Sequence, residues 1–259
     1  MLRRIDLTLS NNGVSFVSSG LSSPDLMAET ILSNRILSSL TADEYSHLAP
    51  HLTHVSLGVR HMLRGPSINM DNAYFFTAGM ASHVVTMRDG SSMELGIVGR
   101  EGMSGLQLAL GYDSIPGSHS LMQIPGSAFR IDGTDLREAI SRLDHLRTIL
   151  MRYAQAQIVQ LSQSVACNRL HNTQERFARW LLMVNDRVGS EFAMTHEFLA
   201  QMLGSQRATV SIEAKILQRA GIISYSHGHM KILKRKSLER LACECYKVQL
   251  KEFSGFLNC

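Results

Sequence analysis

From Thr134 to Leu170 the chain runs for more than thirty residues without a glycine or a proline, immediately after a region crowded with glycines. A run of that length with no breaker is read as one long helix, started by Thr134 as N-cap with Asp135 and Glu138 at the positive end of its dipole. Leu136, Ile140, Leu143, Leu150 and Leu161 follow a 4-3 repeat that Arg147, Ala154 and Gln157 interrupt, while Leu146, Ile149 and Tyr153 widen the stripe. A helix apolar on more than one side must bury more than one side. One face is therefore expected to pack on the preceding domain and another on a second copy of the helix.

Between Val55 and Ile131, short β-prone pieces (YFFTA, SHVVTMR, SMELGIV, SLMQI) alternate with glycines at 58, 65, 79, 90, 96, 99, 102, 105, 111 and 117. This spacing predicts an antiparallel β-roll or barrel, with Asp89-Gly90 as the strongest two-residue hairpin signal. Ahead of it, Met27, Ile31, Leu32, Ile36, Leu37 and Leu40 have helical spacing up to the stop at Pro50. The leading segment MLRRIDLTLSNNGVSFVSS lacks the compact apolar block of a signal peptide, and no apolar run reaches the ~18 residues of a membrane helix. It reads as a loose tail of a cytoplasmic protein with no membrane partner.

Charge is uneven along the chain. From Cys167 onward there are 14 Lys and Arg against 8 Asp and Glu, whereas the first 166 residues carry 12 against 14. A basic surplus confined to the last third suits a polyanionic partner. Four cysteines, three of them (Cys243, Cys245, Cys259) near the C-terminus without paired C-x-x-C elements, are read as reduced thiols on a helix, so no metal site is expected. His47, His51, His54 and His61 have spacings that could gather imidazoles, but Pro50 interrupts the helix between them. They are read as scattered surface or boundary histidines. No nucleophile elbow, Walker loop or H-E-x-x-H is present, and an enzyme is not expected.

The last third holds a more specific grammar. Thr195 caps THEFLAQMLG, Phe198, Leu199 and Met202 face inward, Gly204 supplies a left-handed turn, and Ser205 is placed to cap a second helix buried through Val210, Ala214 and Leu217. AGIISYSHGHMKIL then reads as strand, tight turn at His227-Gly228-His229, strand. This is a winged helix-turn-helix. Its second helix would enter a major groove N-terminus first, with Arg207 offering a bidentate fork to guanine. Ser205, Gln206 and Thr209 would hold phosphates, while Ser211 and Ile212 lie one turn on, within reach of base edges.

MTHEFLAQMLGSQRATV followed by LQRAGIISY resembles the winged helix-turn-helix of the Crp/Fnr family of bacterial transcription regulators, and GIVGREGMSGLQLALG with its neighbouring strands resembles that family's cyclic-nucleotide-binding β-roll. The resemblance implies a base-reading role for Arg207 and phosphate contacts at Ser205, Gln206, Thr209 and the entry pair Thr195 and His196. Ala208 stands where many members have glutamate, and Ile212 where many have a second arginine. In the roll, Gly105 is followed by Leu106 rather than glutamate, and no arginine stands at Ser118-His119, so cyclic AMP is not expected to bind. Gly96, Gly99, Gly102 and Gly105 are read as backbone turns of the roll. With no cysteine before Cys167, the family's N-terminal iron-sulfur cluster is not expected either, and no cofactor is assigned.

The expected fold class is thus α+β: an N-terminal antiparallel β-roll of jelly-roll type, a long dimerisation helix and a C-terminal winged helix-turn-helix. The expected divisions are a tail at 1–23, a sensor roll at 24–133, the helix at 134–166, the DNA-binding domain at 167–240 and a helical tail at 241–259. The expected function is a homodimeric, sequence-specific regulator that binds double-stranded DNA at a near-palindromic operator, answers an unknown small-molecule effector and leaves room for contact with RNA polymerase. The competing reading is a dimeric ligand-sensing scaffold whose winged domain contacts protein.

Overall fold

The structure, a computed structural model, describes residues 33–65, 71–111 and 117–257. The expected tail, Met27, Ile31, Leu32 and Cys259 lie outside these residues. Two short helices, α1 (Arg35–Ser38) and α2 (Ala42–Leu48), lead into strands β1 (Thr53–Leu57), β2 (Met62–Arg64), β3 (Asn72–Thr86), β4 (Ser92–Val98), β5 (Met103–Ser104) and β6 (Ser118–Asp132), with α3 (Leu106–Ala109) before β6. The sheet order is β1-β6-β3-β4, with β2 added to β6 and β5 to β3, all antiparallel. The strand pieces read separately as YFFTA and SHVVT are one 15-residue strand. It bends at Gly79, which has φ +78°, and where a Cβ on Gly126 opposite would lie 2.1 Å from the Ala78 carbonyl oxygen. Register shifts cluster there and curl the long β3-β6 ladder into a roll. The Asp89-Gly90 hairpin is present with a longer turn than expected: Met87 and Ser91 pair, residues 88–90 form the loop, and Gly90 takes the left-handed conformation.

The long helix is divided. Asp132, rather than Thr134, caps α4 (Gly133–Arg142) by accepting from the Thr134 amide, and Leu143 then adopts an extended conformation, φ −106° and ψ 96°, before α5 (Asp144–Leu170) begins. The reason lies far away in sequence. Buried Glu44 of α2 accepts from the amides of His145 and Leu146, both at 3.1 Å, and so satisfies the open donors of a new helix start. α5 lays Leu146, Ile149, Leu150, Tyr153 and Ala156 against the roll.

α6 (Thr173–Val188), β7 (Glu191–Ala193), α7 (His196–Met202), α8 (Arg207–Arg219), β8 (Ile223–Ser226) and β9 (His229–Ile232) form the winged domain, with the small sheet ordered β7-β9-β8. The β8-β9 turn is two residues, His227 and Gly228, both with positive φ, which matches strand twist. α9 (Arg235–Leu241) and α10 (Cys245–Gly255) complete the chain. α10 is no loose tail: it folds back on α5 and puts Phe253 and Phe256 into the roll's core, with ring centroids 6.3 and 5.6 Å from Tyr153.

A second core joins the winged domain to the roll. Met80, Val84 and Ile97 from β3 and β4 pack with Phe177, Trp180, Leu181 and Val184 of α6. Trp180 donates through Nε1 to Glu94 at 2.8 Å, and Arg187 pairs with Glu101 at 2.7 Å, all four side chains being buried. Burial pushes the Glu94 carboxyl up to about 7, against the pull of bonds from Ser82 and Trp180 and of the nearby Arg179 and Arg187. Among the described residues, no helix is long and apolar enough to cross a membrane.

Candidate nucleic-acid interface

α7 and α8 are held by their apolar sides. Leu199, Ala200 and Met202 of α7 and Val210, Ala214 and Leu217 of α8 are buried in one cluster, which leaves the opposite side of α8 in solvent. Gly204, with φ +55°, makes the turn between the helices. Thr195 caps α7 by accepting from the Phe198 amide at 3.2 Å.

Arg207 is the first residue of α8 and is exposed, as are Gln206 and Ile212; Thr209 is half-buried. The N-cap is Gln206, which makes no side-chain cap bond. Ser205, expected to cap α8, accepts instead from Arg176 Nη2 at 2.9 Å, while Arg176 Nη1 donates to the Leu203 carbonyl at 2.8 Å. The amides at the start of α8 are thus left open toward solvent, where a helix dipole favours an anion.

His196 and Ser211 are turned toward each other. His196 Nδ1 lies 2.9 Å from Ser211 Oγ, its ring stacks on Tyr225 of the wing at 4.3 Å, and Nε2 is enclosed without a partner among the described residues. Desolvation lowers the His196 pKa, and the positive charges of Arg207 and Lys215 lower it further. His196 is therefore neutral near pH 7 and ties the entry helix, α8 and the wing together. The contact draws His196 and Ser211, both expected to face DNA, toward each other and so fixes where the two side chains stand. Sequence reasoning passed over Lys215 and Arg219, exposed further along α8, and Arg176, whose role depends on a turn 27 residues away.

In the roll, no arginine stands at Ser118-His119 itself, but one reaches it from another strand. Buried Arg64, from β2, donates to Ser118 Oγ. Its charge also depresses the pKa of His119, after the larger effect of desolvation. Gly105 does make a turn, with φ +91° at the start of α3, but Gly102 serves close approach: a Cβ there would lie 2.2 Å from the Tyr153 hydroxyl oxygen. That hydroxyl donates to the Met103 carbonyl and accepts from its amide. His47, His51, His54 and His61 do not converge: His51 pairs with Asp135 at 3.0 Å and His54 packs on Phe129. The buried thiols of Cys167, Cys243 and Cys245, by contrast, meet beside His171, a convergence of residues more than 70 positions apart that spacing along the chain does not show.

Residues 175–241 match the model of the Crp-like helix-turn-helix domain. Comparison with curated protein sequences finds no match. Among solved structures, the chain is similar to a regulator of the Crp/Fnr family from Eubacterium rectale, with a TM-score of 0.63 and 16% identity over 81% of this chain and 98% of that one. It is also similar to FixK2 from Bradyrhizobium japonicum, with a TM-score of 0.62 and 17% identity over 74% and 98%. A third similar structure is the c-di-GMP-responsive regulator CLP from Xanthomonas campestris, with a TM-score of 0.60 and 14% identity over 74% and 99%. The chain therefore carries a Crp-like helix-turn-helix domain, set on the fold that these Crp/Fnr transcription regulators share.

Proposed function

We propose that the protein is a homodimeric, sequence-specific DNA-binding transcription regulator of the Crp/Fnr type, working in the bacterial cytoplasm. The observation that carries this reading is the placement of Arg207, exposed at the first position of an α8 whose other side is locked into the core of a Crp-like helix-turn-helix domain. A guanidinium there can reach guanine O6 and N7 together, while Gln206, Thr209 and the free amides of α8 take phosphates.

Dimerisation is supported by α5. Met151, Ile158, Leu161 and Val165 are large, apolar and exposed, with Val165 at 72%, and with Ala154 they form a stripe at alternating spacings of 3 and 4 residues. A second copy packed along this stripe would present two α8 helices to successive major grooves about 34 Å apart and so select a near-palindromic operator. Regulation is a population shift between arrangements of the winged domain. A ligand that binds one arrangement of the roll better than another, across the Glu94-Trp180 and Glu101-Arg187 contacts, changes the fraction of dimers whose reading helices fit the groove.

Arg207→Ala tests the reading. Titrations of a bound operator against competitor DNA are expected to show discrimination reduced by about 5- to 150-fold, equivalent to ~1–3 kcal/mol, with nonspecific binding and dimerisation retained. Unchanged operator preference in a folded variant would favour the scaffold reading.

A further inference from the structure

We propose that Cys167, His171, Cys243 and Cys245 form a tetrahedral zinc site that fastens the C-terminal helices to the end of α5. The ligand atoms of all four residues lie within 4.8 Å of one another. Cys167 Sγ is 3.5 Å from Cys243 Sγ, and Cys245 Sγ is 3.7 Å from His171 Nδ1. Zinc-sulfur bonds of ~2.3 Å set a tetrahedron whose sulfur-sulfur edges are about 3.8 Å, so these separations need adjust by only a few tenths of an ångström. A disulfide would require the two sulfurs to close to about 2.05 Å.

The donors come from two rigid places. Cys167 and His171 stand one turn apart at the C-terminal end of α5, where the His171 amide still bonds to the Cys167 carbonyl. Cys243 lies in the three-residue link after α9 and Cys245 opens α10, with Glu244 between them. All three cysteines are buried and form a cluster of their own, separate from the two larger cores. Glu244 also supplies an orienting partner: its carboxylate lies 3.2 Å from His171 Nε2, so that Nε2 carries the proton and Nδ1 faces the sulfurs.

An independent observation points to the same centre. Arg179 of α6 is buried, its Nε and Nη1 have no hydrogen-bond partner among the described residues, and its charge acts on all three cysteines. Buried guanidinium nitrogens without an acceptor are costly, even with the Glu94 carboxyl near enough to feel the charge. Zinc with three thiolates and a neutral imidazole carries one net negative charge, which this guanidinium would balance. Three sulfurs and one nitrogen, closed and without a free position, are the donor set of structural zinc rather than of a hard or catalytic ion. Binding releases the three thiol protons to solvent and changes no oxidation state.

The proposal holds whether or not the chain reads DNA. The test is metal content of the full-length protein, purified with a reductant and without chelator, alongside the Cys243→Ser/Cys245→Ser variant and His171→Ala. The expected result is roughly one zinc per protomer in the wild type and almost none in the double variant. Zinc-stripped wild type, checked for retained helix content, should take up Co²⁺ with the intense visible bands of tetrahedral thiolate coordination, which the double variant should lack. A wild type that holds no zinc and gives no such cobalt spectrum would overturn the proposal. So would zinc retained in the double variant, an iron-sulfur chromophore, or a Cys167-Cys243 disulfide in place of metal.

Discussion

Glu94 links the roll to the winged domain, because its buried carboxyl accepts from Ser82 Oγ of β3 at 2.6 Å and from the indole of Trp180 of α6 at 2.8 Å. Its folded-state pKa of about 7 stands above the ordinary 4.5, so folding takes up a proton. The resulting stability is fully present below about 4.5 and is lost as pH rises through about 7. His83 works in the opposite sense, since desolvation and then Arg64 lower it to about 4 and its contribution disappears as pH falls through that value. The comparison that isolates Glu94 is therefore wild type against Glu94→Gln, which keeps an acceptor for Trp180. Chemical denaturation from pH 5 to 8 should show wild type losing stability relative to the variant, by up to a few kcal/mol; parallel curves would contradict the assignment. Nothing in the neighbouring sequence announced this carboxyl, or Arg64 beside Ser118, because each acquires its environment from a strand paired across the roll. Arg207 was legible because exposure at the start of a helix follows from the local pattern of Val210, Ala214 and Leu217.

At the level of elements, α5 carries the argument for pairing. Its buried side is already satisfied by the roll and by α10, which leaves Met151, Ile158, Leu161 and Val165 uncovered. Ile158→Lys/Val165→Lys should convert the protein to monomers in analytical ultracentrifugation without loss of helix content, since both side chains are exposed within one chain. A dimer that survives both lysines would place the interface elsewhere. The sequence made the double-sided character of this helix readable through its 4-3 repeat, but not which residues served which side. Nor could it reveal the break at Leu143, because the residue that restarts the helix, Glu44, lies 101 positions from His145. The His227-Gly228 turn was found for the opposite reason: a two-residue hairpin depends on local backbone preference alone. The return of α10 onto the roll, and with it the meeting of Cys243 and Cys245 with Cys167, is a tertiary outcome that spacing in the chain does not encode.

On the scale of the whole molecule, the proposed arrangement, two copies offering two α8 helices to one duplex, would use the basic surplus of the last third, the exposed stripe on α5 and the Crp-like helix-turn-helix together. The roll reaches the reading head within the same chain at Met93 of β4, whose methyl would lie 3.1 Å from a Cβ on Gly204 in the helix-turn-helix, while its sulfur meets Asn168 Nδ2 of α5 at 3.2 Å. A signal in the roll therefore has a short mechanical path to the helices that would enter DNA. The measurement that tests this account most directly is selection of bound duplexes from a random DNA pool by the purified full-length protein. The account predicts a near-palindromic site with half-sites about one helical turn apart, centred on a guanine lost from the consensus in Arg207→Ala. Recovery of no sequence preference, or of a single unpaired half-site bound equally well by the variant, would contradict it.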